Sequence, residues 1–454
     1  MSNKILESLK KARLKIHNPR SLAIYESLLR QYFANITGKI QGSEIQSLTT
    51  RDLITYTMIP ENSKKKGKEL LSKLVVIKLN GGLGTTMGLT YPKSLVKINN
   101  SQGSFIDIVY QHLQGINKKN NTCIPLYLMD TEKSLKKTIE SFGNPKGVYH
   151  FSQHEFPRLD KDTGLPFTCQ NKEIEWAPPG HGDIYASLEI SGTLNHLIEQ
   201  GFEYAFISNS DNLGATVDYK ILGYMHDQSI PFILESTPRT ALDTKGGTLI
   251  RYKDRLSLLE RTQMDDNNMA AFEDANLFPI FNTNNIWVNL KTLKHMVNKQ
   301  FPQLPLIVNE KIIENKPCVQ LETAAGAAIS NFENAISIIV GRDRFLPVKQ
   351  CSDLLVLRSD VIENRDGQIV FHPSLNPKLP PKITLSSEYK SLGDFESRFI
   401  KIPSLKKCAS LEISGDFLFE SDVKIEGHVT LINKTKKQAK ISHNILQNET
   451  ICIE

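Results

Sequence analysis

Residues 74–94 read LVVIKLNGGLGTTMGLTYPKS, an apolar run followed by a loop with four glycines between positions 81 and 88. A short apolar run bounded by glycines predicts a buried strand. Glycines directly after a strand let backbone N–H groups approach an anion, so the loop is expected to hold phosphate. It satisfies neither common phosphate pattern. Gly82 to Met87 lacks the last glycine of G-x-G-x-x-G, and Pro92 stands where the glycine before the lysine of G-x-x-x-x-G-K-[ST] belongs. Proline donates no N–H and cannot join a ring of backbone donors, but its fixed φ sets the position of Lys93, whose ammonium suits a phosphate clamp. A dinucleotide fold also wants an acid about twenty positions later, at the end of a second strand. Asp107 stands near that distance inside FIDIVYQHL, a helical pattern, so nicotinamide chemistry is set aside.

Outward from this strand, LVVIKL, PLYLM, YAFISNSD, PFILES and ISIIV read as strands. FIDIVYQHLQ, EKSLKKTIESF, DIYASLEISGTLNHLIEQ and LKTLKHMVNK alternate with them at helical spacing. Strand and helix in alternation predict an α/β fold with a doubly wound, mainly parallel sheet, here residues 46–364. Residues 1–45 read as a helical segment, and PENSKKKGKELL as a solvated loop before the first strand. The start of the chain is basic but serine-poor and contains Glu7, which favours a surface helix over a targeting peptide. From residue 365 to 454 the texture changes. PSLNPKLPPKITL should be extended, and the apolar alternation that follows, with Gly415 and Gly427 as turns, fits a small parallel β-helix or a β-sandwich. The open ends of such a coil offer a surface for homo-oligomer contacts.

With 40% hydrophobic and 23% charged residues, the chain has the composition of an ordinary globular protein. A net charge of +6 over 454 residues gives no concentrated basic face, so no nucleic-acid partner is expected. The six cysteines form no C-x-x-C pair, which suggests neither zinc nor a disulfide framework and points to a cytoplasmic location. No stretch is long and apolar enough to predict a membrane span.

Four more segments carry chemistry. In AFISNSDNLGA, Asp211 follows a strand beside Asn209 and Ser210, where a carboxylate facing a phosphate loop would hold Mg²⁺. In WAPPGHGDIYASL, Gly180 and Gly182 admit a ligand to the main chain, His181 takes a hydrogen-bond role and Asp183 caps the following helix. In DRFLPVKQCSDL, Lys349 is presented as rigidly as Lys93, and the two suggest opposite ends of one polyphosphate. In PIFNTNNIWVNL, Asn282, Asn284 and Asn285 need buried partners, which sugar hydroxyls or turn hydrogen bonds could supply. QLETAAGAAI reads as a packed helix start rather than a site. Hydrolase and zinc-protease signatures are absent. That suits phosphate attacking phosphate, because an anionic nucleophile needs no general base.

Together KLNGGLGTTMG…PKS, FSQHEFPR, PPGHGD, NSDNLGA, TPRTALDTKGGTL, FNTNNIWVNL, QLETAAGAAI and RFLPVK…SDLL resemble the eukaryotic-type UTP–glucose-1-phosphate uridylyltransferases. The resemblance implies a Rossmann-like nucleotidyltransferase domain with a C-terminal parallel β-helix. It also implies Mg²⁺-dependent conversion of UTP and glucose 1-phosphate to UDP-glucose and pyrophosphate, by attack of the sugar phosphate on the α-phosphorus. Carried over, Leu79, Asn80, Gly81 and Gly82 contact the nucleotide, Lys93 clamps its phosphates, and Gln153 with Gly180 reads the uracil. His181, Asn209 and Ser210 meet the sugar phosphate, Asp211 holds Mg²⁺ and Lys349 stabilises the transferring phosphates. Asn284 and Glu260 are implied for the glucose hydroxyls. Alternatives are galactose 1-phosphate or an N-acetylhexosamine 1-phosphate as the sugar, or a non-catalytic UDP-sugar-binding regulator. Thr90-Tyr91 replaces the family's small pair before Pro-Lys-Ser, so Tyr91 is expected to reshape the loop.

Overall fold

Residues 74–79 form the predicted strand, and the rest of the fold is arranged around it. The computed structural model describes residues 2–454 except 37–38, 41, 47, 49–51, 100–102, 241–242, 244–245, 265–268, 366–367, 376–379 and 443. Parts of the TPRTALDTKGGTL segment and of the proline-rich stretch therefore lie outside the described residues.

Eight strands make one sheet: β1 (Leu53–Thr55), β2 (Leu74–Leu79), β3 (Leu126–Asp130), β4 (Val148–Ser152), β5 (Tyr204–Asn209), β6 (Phe232–Pro238), β7 (Ile280–Asn289) and β8 (Ile336–Ile339). Their order is β1-β8-β6-β7-β5-β2-β3-β4, and only β7 runs antiparallel to its neighbours. The protein is thus mixed α/β with a large, mainly parallel sheet. The chain steps from β2 outward to β4, then returns to place β5 on the other side of β2. Reversal of strand order opens a crevice at the carboxyl ends of the two strands, the usual ligand site of such sheets.

Both faces of the sheet are covered, which explains the unbroken apolar run of β2. Val75, Ile77 and Leu79 pack with Ile184, Tyr185 and Leu188 on one face, while Leu74 and Val76 pack with Ile106, Leu113 and Ile116 on the other. Asp107 lies in the helix Phe105–Asn120, closing its capping box with Ser104, so it is no ribose ligand. DIYASLEISGTLNHLIEQ forms two helices, Ile184–Ile190 and Thr193–Glu199, parted by Gly192 at φ +78°.

Two expectations need correction here. The N-terminal helices, Ser2–Ala12 and Pro19–Phe33, end well before residue 45, because Asn35 takes a left-handed φ of +54° and stops the second. Within PENSKKKGKELL, Ser63–Glu69 is helical and packs on the helix Tyr219–Asp227. The contact is so close that a Cβ on Gly67 would fall 1.7 Å from the Tyr219 carbonyl oxygen. The lysine run hid a helix whose buried side is small residues, Ser63 and Gly67.

Toward the C-terminus, Lys382–Leu385, Ser404–Ser414 and Lys424–Asn433 pair in parallel, and Ile445–Gln447 and Thr450–Ile453 both add in parallel to the third. Leu411, Ile413, Val429, Leu431 and Leu446 form one apolar cluster with Leu354 and Leu355 of the helix Cys351–Arg358 and with Met87, Leu89 and Val96 of the glycine loop. The C-terminal strands therefore support, from below, the loop that carries Lys93. Tyr91 packs half-buried against the same cluster.

Candidate active site

Pro92, at φ −61°, leads directly into a tight turn, Lys93–Leu95. Lys93 Nζ donates to the Val348 carbonyl at 2.9 Å and lies 3.2 Å from Asp211 Oδ2. The backbone N–H of Val348 donates in turn to the Asp211 carbonyl at 3.2 Å. One ammonium thus ties together the glycine loop, the end of β5 and the segment presenting Lys349. Burial lowers the Lys349 ammonium below the usual lysine range, against the opposing charges of Asp211, Asp353, Asp243 and Glu260. Its Nζ stands 5.8 Å from the Phe281 ring centroid. Burial likewise pushes Glu260 up to about 7, with Lys349 as the opposing charge.

The nucleotide-side candidates meet at the carboxyl ends of β2 and β4. The Asn80 side chain is used within the protein: Nδ2 donates to Asp130 Oδ1 at 2.7 Å and Thr138 Oγ1 at 3.0 Å, and Oδ1 accepts from Ser94 Oγ. Asn80 therefore pins both ends of the glycine loop and leaves only main chain for a ligand. Gly81 allows a close approach, since a Cβ there would stand 2.0 Å from Gln153 Oε1. At Gly82 a Cβ would meet nothing in the protein within 4 Å. Gln153 Nε2 donates to the Gly180 carbonyl at 2.8 Å, leaving one amide N–H and Oε1 beside the glycine loop.

Among the residues expected to meet the sugar phosphate, Asn209 pairs with Leu79 across β5 and β2, and the Ser210 N–H donates to the Leu79 carbonyl at 3.3 Å. Asn209 Oδ1 accepts from Asn284 Nδ2 at 2.9 Å. Asn284 sits in a bulge of β7, where pairing with β6 shifts register between Glu235 and Ser236, and takes φ +57°. Its Oδ1 is buried without a partner among the described residues. A buried acceptor left open in this way suits a ligand hydroxyl. His181 Nδ1 accepts the Ala325 N–H at 2.9 Å, so its Nε2 carries the proton. Burial holds the ring down to about 4 even though Asp211 opposes the shift. His181 is consequently a neutral N–H donor, with no role as a base.

That contact corrects one half of the reading of QLETAAGAAI: the packed helix start is present, as a short 3₁₀ helix, but it also touches a candidate site residue. Lys316–Glu322 is a strand, and Ala325–Asn331 a tight-turn segment whose first N–H fixes the histidine tautomer. Asp183 also departs from expectation. It occupies the helix N-cap but makes no capping bond, because its carboxylate faces His154 and Ser187.

Sequence reasoning missed the buried network beneath the cleft. Glu235, on β6, accepts from Arg344 Nε at 2.8 Å, Arg344 Nη2 at 2.5 Å, Trp287 Nε1 at 2.8 Å and Asn285 Nδ2 at 3.0 Å. The Arg344 carbonyl accepts from Asn212 and Asn285, which anchors the chain just before Lys349. The Asn285 side chain thus meets protein groups distant in sequence, Glu235, Arg344 and Asn212, where local turn bonds were the alternative to a sugar. Lys78 is buried within β2 and donates to Ser208 Oγ at 2.7 Å and the Ala215 carbonyl at 2.9 Å, while burial pushes it down to about 7. The one signal available was a charged residue inside an apolar run, since such groups are almost never buried unpaired.

Among the described residues no group of three or more His, Cys, Asp or Glu could by itself hold a metal ion. Asp211 offers one carboxylate, which fits a Mg²⁺ bound largely through substrate phosphates.

Residues 22–426 match the family model described as UTP–glucose-1-phosphate uridylyltransferase. A protein of that name from Hordeum vulgare is 41% identical over 434 residues, covering 94% of this chain and 92% of the relative. One from Encephalitozoon cuniculi is 39% identical, covering 95% of this chain and 87% of the relative. Among solved structures, the UDP-glucose phosphorylase of Trypanosoma brucei superposes with a TM-score of 0.90 at 35% identity over 100% of both chains. A Leishmania major UDP-glucose pyrophosphorylase variant in complex with UDP-glucose does so at 0.90 and 32%, again over 100% of both chains.

Proposed function

The chain belongs to the UTP–glucose-1-phosphate uridylyltransferase family, and from that premise we infer how its cleft carries out the reaction. The enzyme converts UTP and glucose 1-phosphate to UDP-glucose and pyrophosphate. The observation that carries the mechanism is the convergence of Lys93, Asp211 and Lys349 at the switch point between β2 and β5.

In this reading the main chain of Leu79 to Gly82 lines the nucleotide, and the open space at Gly82 admits it. Gln153, held to Gly180, presents its remaining amide N–H and Oε1 to the uracil. Lys93 binds the phosphates, and Asp211 would hold Mg²⁺, which when bound adds positive charge to the triphosphate. His181 donates Nε2–H, and with Asn209 and Ser210 orients the sugar phosphate. The unpartnered Asn284 Oδ1 and Glu260 receive sugar hydroxyls. The sugar phosphate attacks the α-phosphorus and pyrophosphate departs. Lys349 acts on that charge from a desolvated position, where an ammonium is worth more than in water.

We read the α/β unit as Rossmann-like and the parallel C-terminal strands as a short β-helix, with its open end as the surface for homo-oligomer contacts. No described helix is long and apolar enough to cross a membrane, and a cytoplasmic location suits the six unpaired cysteines.

The test is pyrophosphate release on mixing protein, Mg²⁺ and UTP with a panel of sugar 1-phosphates. Glucose 1-phosphate should be preferred. Preference for galactose 1-phosphate or an amino sugar would replace the sugar assignment, and no release with any sugar would leave a binding protein.

A further inference from the structure

The N-terminal pair of helices lies beside the cleft, and nothing in uridylyl transfer uses it. Its second helix, Pro19–Phe33, meets the chain beyond β4 at two buried points. Tyr25 Oη donates to the Pro157 carbonyl at 2.9 Å, and Ser21 Oγ lies 2.8 Å from His154 Nε2. On the other side of the imidazole, His154 Nδ1 stands 3.0 Å from both oxygens of Asp183. The same carboxylate accepts the His154 backbone N–H at 2.9 Å and Ser187 Oγ at 2.8 Å. Ser21 is 2% exposed and Asp183 4%.

We propose that Ser21 is a positioning residue for nucleotide recognition: through His154 and Asp183 it holds Gln153 and Gly180 in place for the base. This rests on the assignment of Gln153 and Gly180 made above. The geometry closes a ring. Gln153 directly precedes His154, Gly180 lies three residues before Asp183, and Gln153 Nε2 donates to the Gly180 carbonyl at 2.8 Å. β4 is the outermost strand of its sheet, and the chain that leaves it is next held by strand pairing at Phe156–Pro157, which lies against Trp176–Ala177. The Gln153 N–H pairs with the Asp130 carbonyl at 2.7 Å, and between that bond and the pairing of Phe156 the chain is held at His154, by Asp183 and by the helix.

Proton placement follows from the partners. A carboxylate only accepts, so Nδ1 carries a proton in either state of the ring; Nε2 accepts from the Ser21 hydroxyl when the ring is neutral and donates to its oxygen when the ring is charged. Removing that hydroxyl leaves a buried Nε2 without its partner in both states, and the ring can then turn away from Asp183. Serine, histidine and aspartate in this order also make the hydrolase triad. Burial of Ser21 excludes that use, because no substrate carbonyl can reach its Oγ.

The experiment measures UTP and CTP binding by calorimetry on the full chain, together with KM for both substrates and kcat, in wild type, Ser21→Ala, His154→Asn and Tyr25→Phe. In His154→Asn the amide can replace Nδ1 but does not reach Ser21. Ser21→Ala and His154→Asn should each weaken UTP binding roughly three- to tenfold, the range of one buried hydrogen bond. Both should narrow the preference for UTP over CTP while leaving kcat and the glucose 1-phosphate KM within about twofold. Tyr25→Phe breaks the neighbouring helix contact and should leave UTP preference unchanged. Unchanged UTP preference in Ser21→Ala overturns the inference alone. An equal effect from Tyr25→Phe also overturns it, since docking of the helix would then be the whole cause. Wild type that does not distinguish UTP from CTP would overturn the base assignment and this inference with it.

Discussion

Replacing Glu235 with glutamine keeps its size and removes its charge at a point where four donors converge. The carboxylate is fully buried and accepts from Arg344 Nε and Nη2, Trp287 Nε1 and Asn285 Nδ2 at 2.5 to 3.0 Å. Glutamine offers one acceptor oxygen and turns an NH₂ toward the remaining donors. Arg344 cannot respond by losing its proton. A guanidinium stays protonated in proteins, and with Glu235 neutralised the charges of Asp218 and Asp343 still oppose the effect of burial. A buried cation without its partner costs about 3–5 kcal/mol of stability. The same guanidinium anchors the chain before Lys349, so kcat should fall about 10- to 100-fold, as expected for an ångström-scale displacement of a reacting group. Urea unfolding followed by tryptophan fluorescence reads the stability, with Trp287 as a probe on the pair itself, and pyrophosphate release reads the rate. Glu235→Leu combined with Arg344→Met should recover part of the stability but not the rate, because an apolar pair replaces a buried ion pair at little net cost while Trp287 Nε1 and Asn285 Nδ2 still lose their acceptor. A loss below about 1 kcal/mol in Glu235→Gln, under the desolvation penalty of any buried group left unpaired, would refute the reasoning. So would a double variant no more stable than the single one.

Three more outcomes are expected. Lys349→Ala should lower kcat far more than it weakens UTP binding, because its charge acts on the departing pyrophosphate; equal losses in calorimetry and kinetics would make it a binding residue only. Asp211→Asn should shift the Mg²⁺ titration of activity to much higher concentration, and an unmoved titration would remove its role as metal ligand. His154 titrates above its ordinary value: burial opposes its charge, but the Asp183 charge and hydrogen bond outweigh it. A raised folded pKa gives stability that is full below the unfolded value of about 6.5 and is lost as pH rises through the folded value. The stability gap between wild type and His154→Gln should therefore be larger near pH 5.5 than near pH 9, and a gap that grows with pH would contradict the ion pair.

Much of the fold was legible because the burial pattern follows from composition along short segments. β2, β3, β5, β6 and β8 are apolar runs since both faces of the sheet are covered, and that requirement acts on each strand separately. The helix Ser63–Glu69 was not legible, because its buried side consists of a serine and a glycine set by a partner about 150 residues away, and the lysines outnumber them. β7 was legible only as an apolar segment with asparagines; its antiparallel direction and its bulge depend on the strands between which it falls.

By itself the sequence determined the residues of the proposed site: two lysines presented by prolines, an aspartate at a strand end, and a glycine loop suited to an anion. These are local properties of covalent geometry and side-chain charge. Tertiary structure decided how each is used. It turned Asn80 inward as a brace and Asp183 away from its helix toward His154. It made His181 a neutral donor through one N–H from a residue 144 positions away. It placed Glu235 and Arg344 beneath Lys349, and Ser21 behind Gln153. Hydrogen-bond partners and desolvation act at a few ångströms in space, and separation along the chain does not specify those distances.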